Sequence, residues 1–373
     1  MVRHRLALAL LIVLAVGLSG CNQLVDVDHR ALVLGVGLDA NPAGTGYLVA
    51  VEYPVLPPVG GAGTGGTGQG QTGGGGMSFR TIEKSGANIG DAMLRFRMET
   101  DRVIYLGNLS VIAVGAQLAA RGVLTPLDYF IRAGEVSESA QVVIAEPDAV
   151  ALLNRPSPNG VALPLFEYLR RSELVSAATA PDPLWRFLAL SYSLADAAYA
   201  PLVQPSPQGQ PFRVLGTALI VRGRMVGQLI GYQSAILDWL VKRGGYPEAL
   251  ISLPGATGTS TLRVTAVRKR LQVISPSAAV LHMHFETFVS EGAGLHLDDH
   301  AVLPFEQAAT SQITTQIRGV LATLQADGTD VIGLAPYMHA RYPDVTADWP
   351  KTFSHLHLGL DVTVSITGGA RAE

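Results

Sequence analysis

The chain opens on Arg3, His4 and Arg5, followed by an unbroken apolar run from Leu6 to Leu18. A membrane-spanning helix takes ~20 apolar residues, so this run is too short to cross. A basic start, a short apolar centre and the small residues Ser19 and Gly20 have the form of an export signal. Residues 22–30 are polar and form a tether. From Ala31 to Asp39 the pattern is that of a buried strand, and the alternating segment Tyr47 to Tyr53 is its antiparallel partner across Gly44 and Gly46. Phe79 to Glu83 is expected to pair back with this hairpin. Asn88 to Arg97 has helical spacing, with Ile89, Ala92, Met93 and Phe96 on one face.

Short strands at Val103–Leu106, Leu109–Val114 and Gln141–Ala145 then alternate with short helices at Ala116–Arg121, Thr125–Arg132 and Asp148–Leu153. Thr125 is the expected cap of its helix, with Pro126 at the first helical position. Helices follow at Leu165–Ser176 and Leu184–Leu194. Beyond a segment rich in Pro, Gln and Gly, a hairpin joins Phe212–Val221 to Arg224–Ile230 about Arg222-Gly223. A helix from Tyr232 to Lys242 and strands at Thr261–Arg268 and Ala278–Val289 come next. The longest helix, Leu303–Leu324, repeats Ile313, Ile317, Val320, Leu321 and Leu324 on one face. A strand from His355 to Ile366 closes the chain.

These elements predict a multi-domain α+β fold with mixed or antiparallel sheets flanked by helices, preceded by a lipoprotein signal peptide. The expected divisions are a signal at 1–20, an N-terminal α+β domain at 21–200, a linker at 201–211 and a C-terminal α+β domain at 212–369. A further division is placed near 270–278. Residues 59–76 are nearly all Gly, Thr and Gln, too poor in apolar surface to offset their ordering entropy, and are expected to form a mobile loop. No Gly-Lys-Ser/Thr follows them, so the stretch is no phosphate-binding loop.

Composition changes this picture in two places. A net charge of −3 gives no footprint for a nucleic-acid partner. Cys21 is the single cysteine and directly follows Gly20. A lone thiol closes no internal disulfide. Its position reads as a lipoprotein signal: the Cys21 thiol is alkylated by a diacylglycerol, the signal is cut before it, and acylation (palmitate) completes the anchor. The alternative is an ordinary secretory signal with a spare cysteine beside the cut.

Several separated stretches resemble the Ger(x)C lipoproteins, the C subunits of nutrient germinant receptors in endospores. After the lipobox cysteine come Leu34-Gly35-Val36-Gly37-Leu38-Asp39, then Arg102-Val103-Ile104-Tyr105-Leu106-Gly107-Asn108-Leu109, then Asp128-Tyr129-Phe130-Ile131-Arg132. Gly216 to Ile220, Met225-Val226-Gly227, Thr329 to Leu334, Tyr342-Pro343, Trp349 and Phe353 follow in the family's order. The chain departs from the family pattern in lacking a tryptophan and basic run after Cys21, in carrying Asn108 for a histidine, and in its glycine-rich insertion. The resemblance implies a non-enzymatic lipoprotein on the outer face of the spore inner membrane. It implies integral-membrane receptor subunits as partners, a need for this chain in the germination response, and a three-part α+β fold.

Histidine supplies the strongest rival chemistry. His282 and His284 alternate on one strand, and His355 and His357 are expected to alternate on the last one; His296, Asp298, Asp299 and His300 lie between them. Two such pairs on adjacent strands have the donors zinc prefers; the other account is that they line a solvated sheet face. No Gly-x-Ser-x-Gly elbow occurs, and no acid pair announces general acid–base work, so no catalytic residue and no cofactor is assigned. Asp330 is expected to anchor the turn after the long helix. Trp349 and Tyr342 pack under the last strand or form a partner-binding spot, and Arg102 and Arg132 are expected to be ion-paired. The rival to a receptor subunit is an exported solute- or metal-binding lipoprotein.

Overall fold

A computed structural model describes residues 30–55, 78–100, 102–172, 181–206, 208–241, 246, 248–252, 259–291 and 299–369. The signal, Cys21, the glycine-rich stretch, His296 and Asp298 lie outside these residues.

An eight-stranded mixed sheet organises the first part of the chain. Its strands are β2 (Gly35–Ala40), β3 (Tyr47–Val55), β4 (Ser78–Gly86), β6 (Val111–Gly115), β7 (Gln141–Ala145), β8 (Ala197–Pro205), β9 (Phe212–Val221) and β10 (Arg224–Ile230). Their spatial order is β10-β9-β8-β7-β6-β2-β3-β4. The four central strands β8, β7, β6 and β2 run parallel; the flanking pairs are antiparallel. Strands covered on both faces read as continuous apolar runs, and β6 (Val-Ile-Ala-Val-Gly) and β7 (Gln-Val-Val-Ile-Ala) are buried at every position.

The period of two separates the faces. Ile112, Val114, Val142 and Ile144 join one apolar cluster; Val111, Ala113, Val143 and Ala145 join another. Helices α1 (Ile89–Glu99), α2 (Ala116–Arg121), α3 (Leu124–Arg132) and α6 (Leu184–Ser191) cover the first face. Helices α4 (Ala149–Leu153) and α5 (Ala162–Ser172) cover the second. A separate parallel pair, β1 (Arg30–Leu32) with β5 (Val103–Tyr105), closes the first layer.

The second part is a four-stranded sheet of β11 (Ala249–Ser252), β12 (Thr259–Ser275), β13 (Ala278–Glu291) and β14 (His357–Gly369), in that order. Between β13 and its parallel partner β14 the chain forms α8 (Asp299–Ala326), α9 (Ala335–Arg341), a 3₁₀ turn at Pro343–Thr346 and α10 (Trp349–His355). Helix α8 carries Thr310, Thr314, Thr315 and Gly319, so propensity alone does not hold it. Its buried Phe305, Ile313, Ile317, Val320, Leu321 and Leu324 do, at roughly 1.5–3 kcal/mol per side chain. Helix α7 (Tyr232–Val241) brings Trp239 edge-on to Phe285, with ring centroids 5.4 Å apart. The same core takes in Ala197, Tyr199, Leu219 and Leu229, so the two parts share one apolar cluster.

Several expectations are corrected. Pro201–Pro205, expected to begin a linker, form the end of β8, and Ser206 N–H donates to the Pro211 carbonyl at 3.0 Å just before β9. The division near 270–278 is a hairpin of one continuous sheet, with Ser275 paired to Ala278. The predicted strand Ala31–Asp39 is broken at Val33-Leu34 into β1 and β2, which pair with different partners. Thr125 does not cap α3, which starts one residue earlier without a side-chain cap. Asn88 does cap α1, accepting from Asp91 N–H at 2.9 Å.

Candidate functional site

Three buried carboxylates carry the most definite side-chain chemistry. Asp39, the last residue but one of β2, reaches α4, accepting from the Ala149 and Val150 amides at 3.0 and 2.8 Å. Glu52, facing inward on β3, accepts from Val161 and Ala162 at the start of α5 at 2.8 and 2.9 Å. Asp330, after α8, accepts from the Gly333, Leu334 and Ala335 amides at 3.0, 3.1 and 2.7 Å and from Trp349 Nε1 at 2.8 Å. Each acid meets the amides that a helix start leaves without intrahelical partners, and the dipole there favours negative charge. Burial pushes all three carboxyls above their ordinary values, and the amide hydrogen bonds hold them back.

Asp330 is therefore the anchor expected of it. Trp349 is 1% exposed and bonded to that anchor, which places it in the core and removes it as a partner-binding spot. Asp39 and Glu52 were not assigned roles by sequence. The available signal was an acid inside an otherwise apolar strand, which requires a buried partner.

The histidines do not converge. On the solvated face of the second sheet His282 Nδ1 meets Asp361 Oδ2 at 2.9 Å, and its Nε2 meets Gln272 Oε1 at 3.1 Å. His284 Nδ1 meets Thr363 Oγ1 at 2.8 Å. His355 ends α10 rather than sharing β14, and His357 pairs beside Ala278, so the expected second pair does not form on the strand. Along β14 Asp361 comes four positions after His357, roughly 13 Å of strand. Among the described residues no three His, Cys, Asp or Glu side chains group to hold a metal ion. Asp299 and His300 fall at the start of α8.

Arg132 pairs with Asp128 at 2.6 Å on an exposed face of α3. Arg102, expected to be paired, is in no ion pair among the described residues. It lines a cavity of about 480 Å³ with Arg30, Arg97, Thr100, Tyr105 and Glu135. A second crevice of about 760 Å³ lies outside the carboxyl ends of the parallel strands, with Arg121, Glu83 and Asp148 among its lining residues. No helix of the described residues is long and apolar enough to cross a membrane.

The fold and its chemistry define a class first: a mixed α+β protein of two sheet units with a shared core, in which the buried acids Asp39, Glu52 and Asp330 are bound to helix starts. The family follows from sequence. The model described as "Spore germination protein N-terminal domain" matches residues 23–205, and "Spore germination B3/ GerAC like, C-terminal" matches residues 215–369. The chain belongs to the Ger(x)C family of spore germination proteins, the germinant-receptor family. Its fold is shared with the crystal structure of the GerBC protein, at a TM-score of 0.55 and 17% identity, covering 92% of this chain and 100% of that one. No curated protein sequence matches it.

Proposed function

We propose that this chain is the lipoprotein subunit of a spore nutrient germinant receptor, anchored through a diacylglycerol on Cys21 to the outer face of the spore inner membrane. It acts without catalysis, by binding integral-membrane receptor subunits. The observation that carries this is the pair of germination-family matches spanning both sheet units. Two further features support it. Cys21 directly follows a short apolar run and two small residues. The buried acids Asp39, Glu52 and Asp330 accept from backbone amides at helix starts, a structural use of those carboxylates.

The anchor makes physical sense for such a subunit. Each buried methylene contributes ~0.8 kcal/mol, so two acyl chains hold where one would exchange. Confinement at the bilayer then raises the effective concentration of the folded units beside membrane partners to about millimolar. The Cys21→Ala variant tests the proposal in spores that lack redundant receptors. The expected result is a folded protein recovered in the soluble fraction and a slowed loss of refractility on nutrient addition. Retention on the membrane with full germination would sink the anchor, and normal germination of a strain deleted for the gene would sink the receptor role.

A further inference from the structure

The described chain begins at Arg30, and Arg30 already lines the 480 Å³ cavity together with Arg97 and Arg102. Arg97 stands in the last turn of α1, Arg102 in the connection to β5, and Arg30 on β1, so three separate segments converge on one site. Among the described residues none of the three guanidinium groups is in an ion pair, and Glu135 is the single acidic side chain that lines the cavity. The Arg30 guanidinium lies over the Tyr105 ring, 4.9 Å from its centroid, a cation–π contact that restrains it beside the cavity. Planar, fixed guanidinium groups match phosphate oxygens two at a time.

Exposed apolar side chains share the segments that carry these arginines. Val103, which lines the cavity, is 51% exposed; on α1, Leu94 is 55% and Met98 is 78% exposed. Leu94 and Met98 are four residues apart and so share one helix face, and Met98 adjoins Arg97. Basic side chains interleaved with exposed apolar ones are the surface of a protein that lies on a bilayer. The sequence distance agrees. Arg30 comes nine positions after Cys21, at most roughly 30 Å of extended backbone, so a lipid on Cys21 would keep this face within reach of the membrane.

We propose that the Arg30–Arg97–Arg102 cavity binds the phosphate of an anionic phospholipid headgroup, with Val103, Met98 and Leu94 seated at the acyl boundary. The first sheet unit is thereby held against the bilayer in one orientation. The inference rests on the lipid-anchor reading for its geometry, but the affinity belongs to the folded surface and is measurable without the lipid.

The test is vesicle co-sedimentation of the mature chain carrying Cys21→Ala, on phosphatidylcholine alone and on phosphatidylcholine mixed with phosphatidylglycerol. Binding to the anionic vesicles is expected, with little on the neutral ones. Near an anionic surface each arginine is worth about fivefold in binding, so the Arg30→Gln/Arg97→Gln/Arg102→Gln triple variant is expected to lose about 100-fold. A control triple, Arg263→Gln/Arg268→Gln/Arg270→Gln on the second sheet, removes the same charge elsewhere and is expected to bind as the parent does. If the cavity triple fails to fold by circular dichroism, the exposed Arg97→Gln and Met98→Glu single variants carry the same test. Equal losses in the two triples, or no loss in either, would overturn the proposal. So would saturable binding of glycerol phosphate without any preference for anionic vesicles, which would assign a soluble phosphate ester. Absence of lipid on Cys21 in cells, read by mass spectrometry, would remove the anchor and leave the vesicle result standing.

Discussion

Replacing Asp330 by Ala removes four acceptor contacts at one stroke. The amides of Leu334 and Ala335 and the Trp349 indole belong to residues that are 0%, 0% and 1% exposed, so these donors have no ready access to water. A buried donor left without a partner costs ~1–3 kcal/mol. Three of them sum to roughly 3–9 kcal/mol, and water entering the vacated space recovers part, so the expected loss is about 3–6 kcal/mol. Against a total stability of ~5–15 kcal/mol this is severe. Urea titration followed by tryptophan fluorescence measures it, with Trp349 reporting directly on the lost contact. Asp330→Asn keeps one acceptor oxygen and is expected to lose about half as much. A cycle with Trp349→Phe should show a coupling of about 0.5–3 kcal/mol. If Asp330→Ala unfolded within ~1 kcal/mol of the parent, the argument that this acid pins the segment between α8 and α10 would be refuted.

Other predictions concern glycines and pH. A Cβ at Gly115 would stand 1.8 Å from Asp39 Oδ1, so Gly115→Ala should displace the α4 cap and cost about 2–4 kcal/mol in the same titration. At Gly319 a Cβ meets nothing within 4 Å, and Gly319→Ala in α8 should stabilise by about 0.5–1 kcal/mol; opposite signs at these two sites are the check. Burial raises the Glu52 carboxyl in the folded state, so between its ordinary value and the raised one the folded chain binds more protons than the unfolded chain. Its stability contribution is full below the unfolded pKa and declines as pH rises through the folded one. Denaturation of parent and Glu52→Gln across mildly acidic pH should show a shallower decline in the variant.

Much of the local structure was legible from the pattern of side chains. The hairpin Phe212–Val221 with Arg224–Ile230, the strand Gln141–Ala145 and the face of α1 formed by Ile89, Ala92, Met93 and Phe96 stand where periodicity put them. Each is specified by residues within a few positions, and the period of a strand or helix is a local property. The family resemblance was legible in the same way, as an ordered set of short motifs, and the family matches bear it out.

Tertiary structure decided what depends on distant partners. Pro201 and Pro205 argued locally against a strand, yet β8 exists because β7 and β9 pair with it on either side. His355 looked like part of an alternating pair, but α10 runs through it before β14 begins. The acid of the Gly-x-Gly-x-Asp motif meets its partner amide 110 residues away, and no local pattern states which helix start will arrive there. Arg30, Arg97 and Arg102 are ordinary surface residues until β1, α1 and β5 bring them to one cavity. The sequence by itself determined most of the elements and the family. Which strands are neighbours, which acids cap which helices and where Arg30, Arg97 and Arg102 meet are long-range matters, settled by how the apolar faces pack and which buried amides must be satisfied.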